Sequence, residues 1–333
     1  MSTNDTPPAG KSFEPGSPGS SETEHAAIEA PLDETVLKRA EAGDTQTLCF
    51  LDSCGLIVGA TEDLPAYVQR LRSLRSNLTT METELQSNRG FVIDNLQFHQ
   101  KDRIPAWLFE EVKPLTRDLY DFQIDWVPGF YVDPSFSWLF GGCAFYFYPD
   151  FFALFIIRKT FAHKRHWLIY DRNELLAHEL CHVARIGLDS VVLEETAAYR
   201  TSGSAFRREV GGVFRSPRDS FLLLGSTLLL LAAQFSRIFL GGLLGWLVPA
   251  MWVVVIGVIA FLLGRHARTR RTRHRALERL ADAAPGREES IVFRCTDAEV
   301  AELATLSGDG LQQWLQERKG TNLRWSVIAA RFL

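Results

Sequence analysis

The sequence predicts an α+β fold that carries a two-helix membrane hairpin. Three observations lead there. Residues 173–200 set two histidines four apart in an amphipathic helical pattern, with a glutamate-bearing helix after it. Just upstream, between 124 and 171, the apolar period shortens to aromatic and β-branched runs broken by Gly, Pro and Asp, the signature of a small sheet. Downstream, 221–264 is apolar for long enough to cross a bilayer twice, since one span takes about twenty residues.

Taken in order, residues 1–34 are rich in Ser, Thr, Pro, Gly and Glu and contain no apolar run. Such a segment buries too little surface to offset chain entropy and is expected to be a disordered tail. It also lacks the basic start and apolar core of a signal peptide, so no secretion is expected.

Residues 35–123 read as a helical region. From 61 to 86, Leu64, Leu71, Leu78 and Leu85 fall seven apart with Tyr67, Leu74 and Met81 between them, an a/d seam over three heptads. The seam can close on its own domain or join two copies into a homo-oligomer through 64–85. Its shortness, and flanking charges that form no clear interchain pairs, favour the first. Between 104 and 121, Trp107, Leu108, Val112, Leu115 and Leu119 form one apolar side of a helix that Pro114 is expected to bend. Four short strand-like runs follow, the last two at 153–161 and 166–171.

These strands lead into His178-Glu179-Leu180-Cys181-His182, an HExxH pattern. Leu175, Leu176, Ala177, Leu180 and Val183 give its helix an apolar face, and Gly187 offers a stop. Residues four apart share a helix face, so His178 and His182 can offer nitrogens to one ion about 2.0–2.1 Å away. Glu179 beside them is the candidate general base for a metal-activated water. A hydrolytic zinc site needs a third protein ligand and one open position. Glu195 is the first candidate and Glu194 the second, both on the next helix, with Ala197 and Ala198 small enough for close helix contact. The five-residue pattern alone is weak; its place on a helix followed by glutamates gives it weight.

HExxH followed by Glu-x-x-Ala resembles the gluzincin class of zinc metallopeptidases, and AHELCHV around His178 is most similar to the membrane-bound CAAX prenyl protease and heat-shock protease family. The resemblance is confined to residues 173–200. In that family the ligand glutamate is followed by Ala-Asp, whereas Glu195-Thr-Ala-Ala198 precedes Tyr199 here; Glu278-Arg-Leu-Ala281-Asp282 fits the family pattern formally and makes Glu278 the third candidate. The resemblance implies a zincin-like catalytic domain over 124–215, a Zn2+ cofactor, and hydrolysis of peptides or membrane-proximal protein segments. It further implies a sheet edge that takes the substrate as an added strand, expected at 152–158 or 166–170. His166 and Tyr170 are candidate oxyanion donors, although a lone His or Tyr at a strand end is more often structural. Tyr199 is a candidate helper if its helix turns it inward. Two other functions are carried: an inactive zincin-fold membrane scaffold or sensor, and hydrolysis of a non-peptide amide or ester.

The apolar block divides into spans of 221–240 and 243–263 with a turn near 236–242, Trp246 and Trp252 near one interface, and Pro249 as an expected kink. Arg207, Arg208, Arg215 and Arg218 precede it and Arg265, Arg268, Arg270, Arg271, Arg273 and Arg275 follow it, while the loop has only Arg237. The positive-inside rule then puts both termini and the metal site in the cytoplasm. Residues 265–333 are expected to form a basic helix along anionic headgroups and, past Pro285-Gly286, a small helical domain whose Thr296 and Glu299 form a capping box.

The net charge of −4 leaves no global basic field, so no nucleic-acid partner is expected. Cys49, Cys54, Cys143, Cys181 and Cys295 are odd in number and lack CxxC spacing, which favours reduced thiols in a cytosolic compartment. Cys181, though inside the motif, is expected to be a small buried hydrophobe rather than a ligand.

Overall fold

A computed structural model describes residues 30–87, 90–93, 96–133, 140–147, 152–239 and 245–333. Most of the expected disordered tail lies outside these residues. The described chain is mixed α+β, mostly helical, with small sheets.

Three helices come first: α1 Glu34–Glu41, α2 Thr45–Ser53 and α3 Leu64–Gln86. Asp44 caps α2 and Asp63 caps α3, each carboxylate accepting from the backbone N–H three residues on. The heptad seam of α3 closes on its own chain. Tyr67, Leu71 and Leu74 are buried against α1 and α2, while Met81 and Leu85 join the apolar cluster of the sheet. A hairpin of β1 Phe91–Ile93 and β2 Leu96–Phe98 interrupts the region read as all helical. Its three-residue strands are too short to display a period of two. Helix α4, Ala106–Tyr120, contains Pro114 and ends where Asp121 adopts φ 55°.

The main sheet contains β3 Gly129–Val132, β4 Gly142–Phe147 and β5 Phe152–Arg158 in the order β3-β5-β4. β5 runs parallel to β3 and antiparallel to β4, and residues 152–157 are all buried. A central strand covered on both faces needs a continuous apolar run, and Phe-Ala-Leu-Phe-Ile-Ile supplies one. After the short ladder of β6 His166–Trp167 and β7 Tyr170–Asp171 comes α5, Arg172–Arg185. Asp171 caps it by accepting from the amides of Asn173 and Glu174 at 2.9 and 3.0 Å. Its Leu176, Ala177, Leu180 and Cys181 pack with Leu108 and Val112 of α4 and Phe155 and Ile157 of β5. Each fully buried Leu or Ile there contributes about 1.5–3 kcal/mol. Cys181 is wholly buried, and burial pushes its thiol well above the usual cysteine range. All five cysteines are free.

Two short helices follow, α6 Glu194–Ala198 and α7 Ala205–Val210, and then α8 Pro217–Phe239 and α9 Leu247–Leu280. Both long helices are long and apolar enough to cross a membrane, and only 17% and 11% of their most apolar windows are buried. A soluble core helix of that composition would be covered; here Phe221, Leu229, Ile238, Val253, Ile256 and Phe261 are exposed. Arg265 of α9 pairs with Asp219 of α8, so the two run antiparallel. Two details differ from expectation. Pro249 lies in the first turn of α9, where no intrahelical acceptor is waiting for its missing N–H, and α9 runs on into the basic segment as one helix of 34 residues.

The last four helices are α10 Glu288–Phe293, α11 Asp297–Leu303, α12 Asp309–Thr321 and α13 Leu323–Phe332. The capping box at Thr296 and Glu299 is present in both halves. These helices are not a detached appendage. Phe293 stacks on Tyr120 and Phe122 with centroids 4.1 and 5.0 Å away, and fully buried Arg294 donates to Asp52 at 2.7 Å. Glu299, 4% exposed, accepts from Arg324, Trp325 and the Thr296 amide. Burial alone would raise its pKa, but the Arg324 hydrogen bond and charge, with the other two donors, outweigh burial and lower it. A depressed carboxylate stabilises the fold fully above its unfolded pKa, about 4.3, and loses that contribution as pH falls through the folded value. Denaturation midpoints are therefore expected to fall less steeply below about pH 4 in Glu299→Gln than in wild type.

Candidate metal centre

His178 and His182 sit one turn apart on α5, the strand-to-helix step from β7 having fixed the direction of that face. Their Nε2 atoms are 3.1 Å apart. Glu195, in the first turn of α6, brings Oε2 to 3.6 Å from His178 Nε2 and Oε1 to 3.6 Å from His182 Nε2. A tetrahedral zinc ion with bonds of about 2.0–2.2 Å separates its ligand atoms by about 3.3–3.6 Å. The three residues therefore fit one ion by spacing, and the donor set of two imidazoles and a carboxylate is one that zinc accepts.

Glu194 takes a different place. Its Oε1 is 3.0 Å from His182 Nδ1, and its Oε2 accepts from Arg185 Nε at 2.9 Å. A carboxylate on Nδ1 fixes the tautomer that leaves Nε2 facing His178 and Glu195, which is the outer-shell arrangement of metal histidines. Glu278 is not brought to the pair: it lies on exposed α9, 3.3 Å from His274.

The electrostatics also favour a cation. Burial and the nearby His182 charge lower His178 to about 3, so its ring is neutral and its Nε2 lone pair faces His182 Nε2, where an ion would take the place of the shared proton. Burial disfavours a charge on His182 as well, but the Glu194 hydrogen bond and the charges of Glu179, Glu194 and Glu195 outweigh it and raise the value to about 9. Carboxylates that hold a proton on that ring would hold a divalent ion in its place. Burial raises Glu179 and Glu195, while Glu194, though buried, is lowered chiefly by Arg185.

Glu179 lies alongside the histidines, where its Oε2 accepts from the backbone N–H of Ala144 on β4 at 2.9 Å. This corrects the expectation that β5 lines the cleft as an edge; the β6–β7 region does border the larger of the site's two clefts, through Ile169, Tyr170 and Asp171. β5 is paired on both sides, and β4 is the edge strand that borders the metal residues, with Cys143 and Ala144 lining a cavity of about 410 Å³ together with His178, Glu179 and His182. A second, larger cleft of about 780 Å³ shares His178 and Glu179 with it, and there Tyr170 and Tyr199 meet apolar Ile169, Phe206 and Phe214.

No family model, curated protein or solved structure matches the chain. Its chemistry is therefore read from its own residues. Tyr199 turns inward, its ring edge-on to His178 with centroids 4.5 Å apart, and burial raises its phenol so that it stays protonated. Tyr170 lines the cleft. His166 does not: its exposed ring is 3.3 Å from Asp171 Oδ2, at the foot of α5.

Three contributors had escaped the sequence reading. Asp297 pins the segment before α6, accepting from Ser190 Oγ at 2.7 Å and from the amides of Val191, Val192 and Leu193 at 2.8, 2.8 and 3.0 Å. A residue about a hundred positions away thus sets where Glu194 and Glu195 begin, and no local spacing reveals it. Arg215 lines the smaller cavity and donates to the Arg265 carbonyl at 3.3 Å, joining that cavity to the hairpin. Ala144 acts through its backbone, which composition does not record.

Proposed function

We propose that the chain is a membrane-anchored zinc metallopeptidase of gluzincin type, with a zincin-like site on the cytoplasmic side of the bilayer. The observation that carries this reading is the convergence of His178, His182 and Glu195 at ligand spacing, with Glu194 behind His182 and Glu179 alongside.

His178 and His182 would hold zinc through Nε2 and Glu195 through its carboxylate. When bound, the ion supplies Lewis-acid polarisation of the scissile carbonyl and acidifies the attacking water. Glu179 accepts that water's proton and returns it to the leaving amine; its burial keeps the carboxylate basic enough for the task. The Tyr199 phenol, facing the same cleft, donates to the carbonyl oxygen as negative charge develops. The outer edge of β4 takes the substrate as an added strand, so backbone hydrogen bonds align it without reading its sequence. Ile169, Phe206 and Phe214 give the larger cleft an apolar wall for a bulky side chain of a membrane-proximal segment.

Location rests on α8 and α9 as spans. Their arginine-rich flanks lie next to the site and only Arg237 is near the connecting loop, which under the positive-inside rule faces the site to the cytoplasm. Hydrolysis of a quenched peptide library by the full chain in detergent tests the reaction. The expected result is cleavage that 1,10-phenanthroline abolishes and stoichiometric zinc restores. Zinc bound without any turnover would instead support the scaffold or sensor.

A further inference from the structure

A third cavity, of about 510 Å³, is lined by Thr196 of α6 and by Arg200 just beyond it, and by none of the metal residues. Arg200, Arg208, Arg270, Arg271 and Arg273 line it against two carboxylates, Glu209 and Glu289, which leaves three positive charges in excess. Glu289 pairs with Arg200 and Arg273, and Glu209 with Arg270. Among the described residues Arg271 makes no ion pair.

The lining also holds polar atoms without partners. Thr196 is 5% exposed and its Oγ1 has none, and neither has the buried Nε of Arg200. Buried donors normally find acceptors, so the wall of the cavity carries donor capacity that the protein itself leaves unused. The volume falls within the range of small-ligand sites, about 300–1,000 Å³.

Depth relative to the apolar run narrows the ligand. Gly264 ends the run on α9, and Ala267, Arg270 and Arg271 follow three, six and seven residues later. At 1.5 Å per residue they stand about 5–10 Å beyond the hydrocarbon, where the headgroup layer lies. We infer that this cavity binds a multiply charged phosphate headgroup of an anionic phospholipid, through the guanidinium groups of Arg200 and Arg271. The shared chemistry with a soluble phosphate is the same set of donors; the position at headgroup depth favours the lipid. This assignment rests on the reading of α8 and α9 as membrane spans.

The test uses the full chain in dodecylmaltoside, with unfolding followed by tryptophan fluorescence at constant ionic strength. Dioctanoyl phosphatidylinositol 4-phosphate is expected to raise Tm saturably, and dioctanoyl phosphatidylcholine to leave it unchanged. In Arg200→Gln/Arg271→Gln the half-saturating concentration should rise at least tenfold, whereas Arg275→Gln/Arg279→Gln, outside the cavity, should match wild type. An equal affinity for inorganic phosphate would keep the site and assign it to a soluble ligand. No response in wild type, or equal weakening in both double variants, overturns the proposal, the latter by reducing it to a diffuse basic field. Alkaline carbonate extraction of native membranes separates the two claims: protein released to the supernatant refutes the spans, whatever the Tm titration gives.

Discussion

Glu179→Gln is expected to lower peptide hydrolysis by about 10²–10⁴-fold while bound zinc stays at the wild-type level, the usual size of a lost general base. The substitution is nearly isosteric, and the amide oxygen can still accept from the Ala144 N–H that now meets Oε2 at 2.9 Å. What it removes is the capacity to take a proton. Glu179 is not among the three residues at ligand spacing, so metal content should not follow its charge. Rates from cleavage of a fluorogenic peptide, paired with zinc per chain, read both effects at once. A variant that keeps near-wild-type turnover would move the base elsewhere, and one that loses zinc as well would make Glu179 part of the ligand set.

Asp52→Ala should be the most damaging change remote from the site. Asp52 is 2% exposed and pairs with Arg294, whose side chain is fully buried, and with Arg331. Removing one partner of a buried pair costs about 3–5 kcal/mol because the other charge is left without compensation. Arg294 keeps the carbonyls of Tyr120 and Ser290, at 2.7 and 2.9 Å, but those are dipoles facing a whole charge. Urea unfolding of wild type and variant measures the loss. A difference below about 1 kcal/mol would mean that water reaches Arg294 and that the N- and C-terminal helices are not held by this pair.

The HExxH helix and the apolar hairpin were legible because each is written in a local pattern, as was the capping box, whose partners Thr296 and Glu299 are three residues apart. The α+β class followed from the change of period before Arg172. What stayed hidden is long-range. Asp52 and Arg294 look like ordinary surface charges until the fold brings them together across 242 positions, and Asp297 reads as one half of a helix start rather than as the clamp on the Glu194 helix. β4 and β5 are both short aromatic runs, so pattern alone could not say which would be central and which would border the histidines. Pro249 misled because a proline kinks a helix only where its N–H would have had an acceptor, and the sequence did not fix where α9 begins. The choice among Glu194, Glu195 and Glu278 needed distances: one faces both Nε2 atoms, one faces Nδ1, and one is on the exposed side of α9.

Zinc per chain in the purified full-length protein, wild type against Glu195→Gln, Glu194→Gln and Glu278→Gln, tests the metal centre most directly. One zinc per chain is expected in wild type and in Glu278→Gln, near-complete loss in Glu195→Gln, and an affinity about 10–100-fold weaker in Glu194→Gln, the usual cost of losing an outer-shell partner. A folded wild type that binds no metal, or a Glu195→Gln variant that keeps it, would contradict the site.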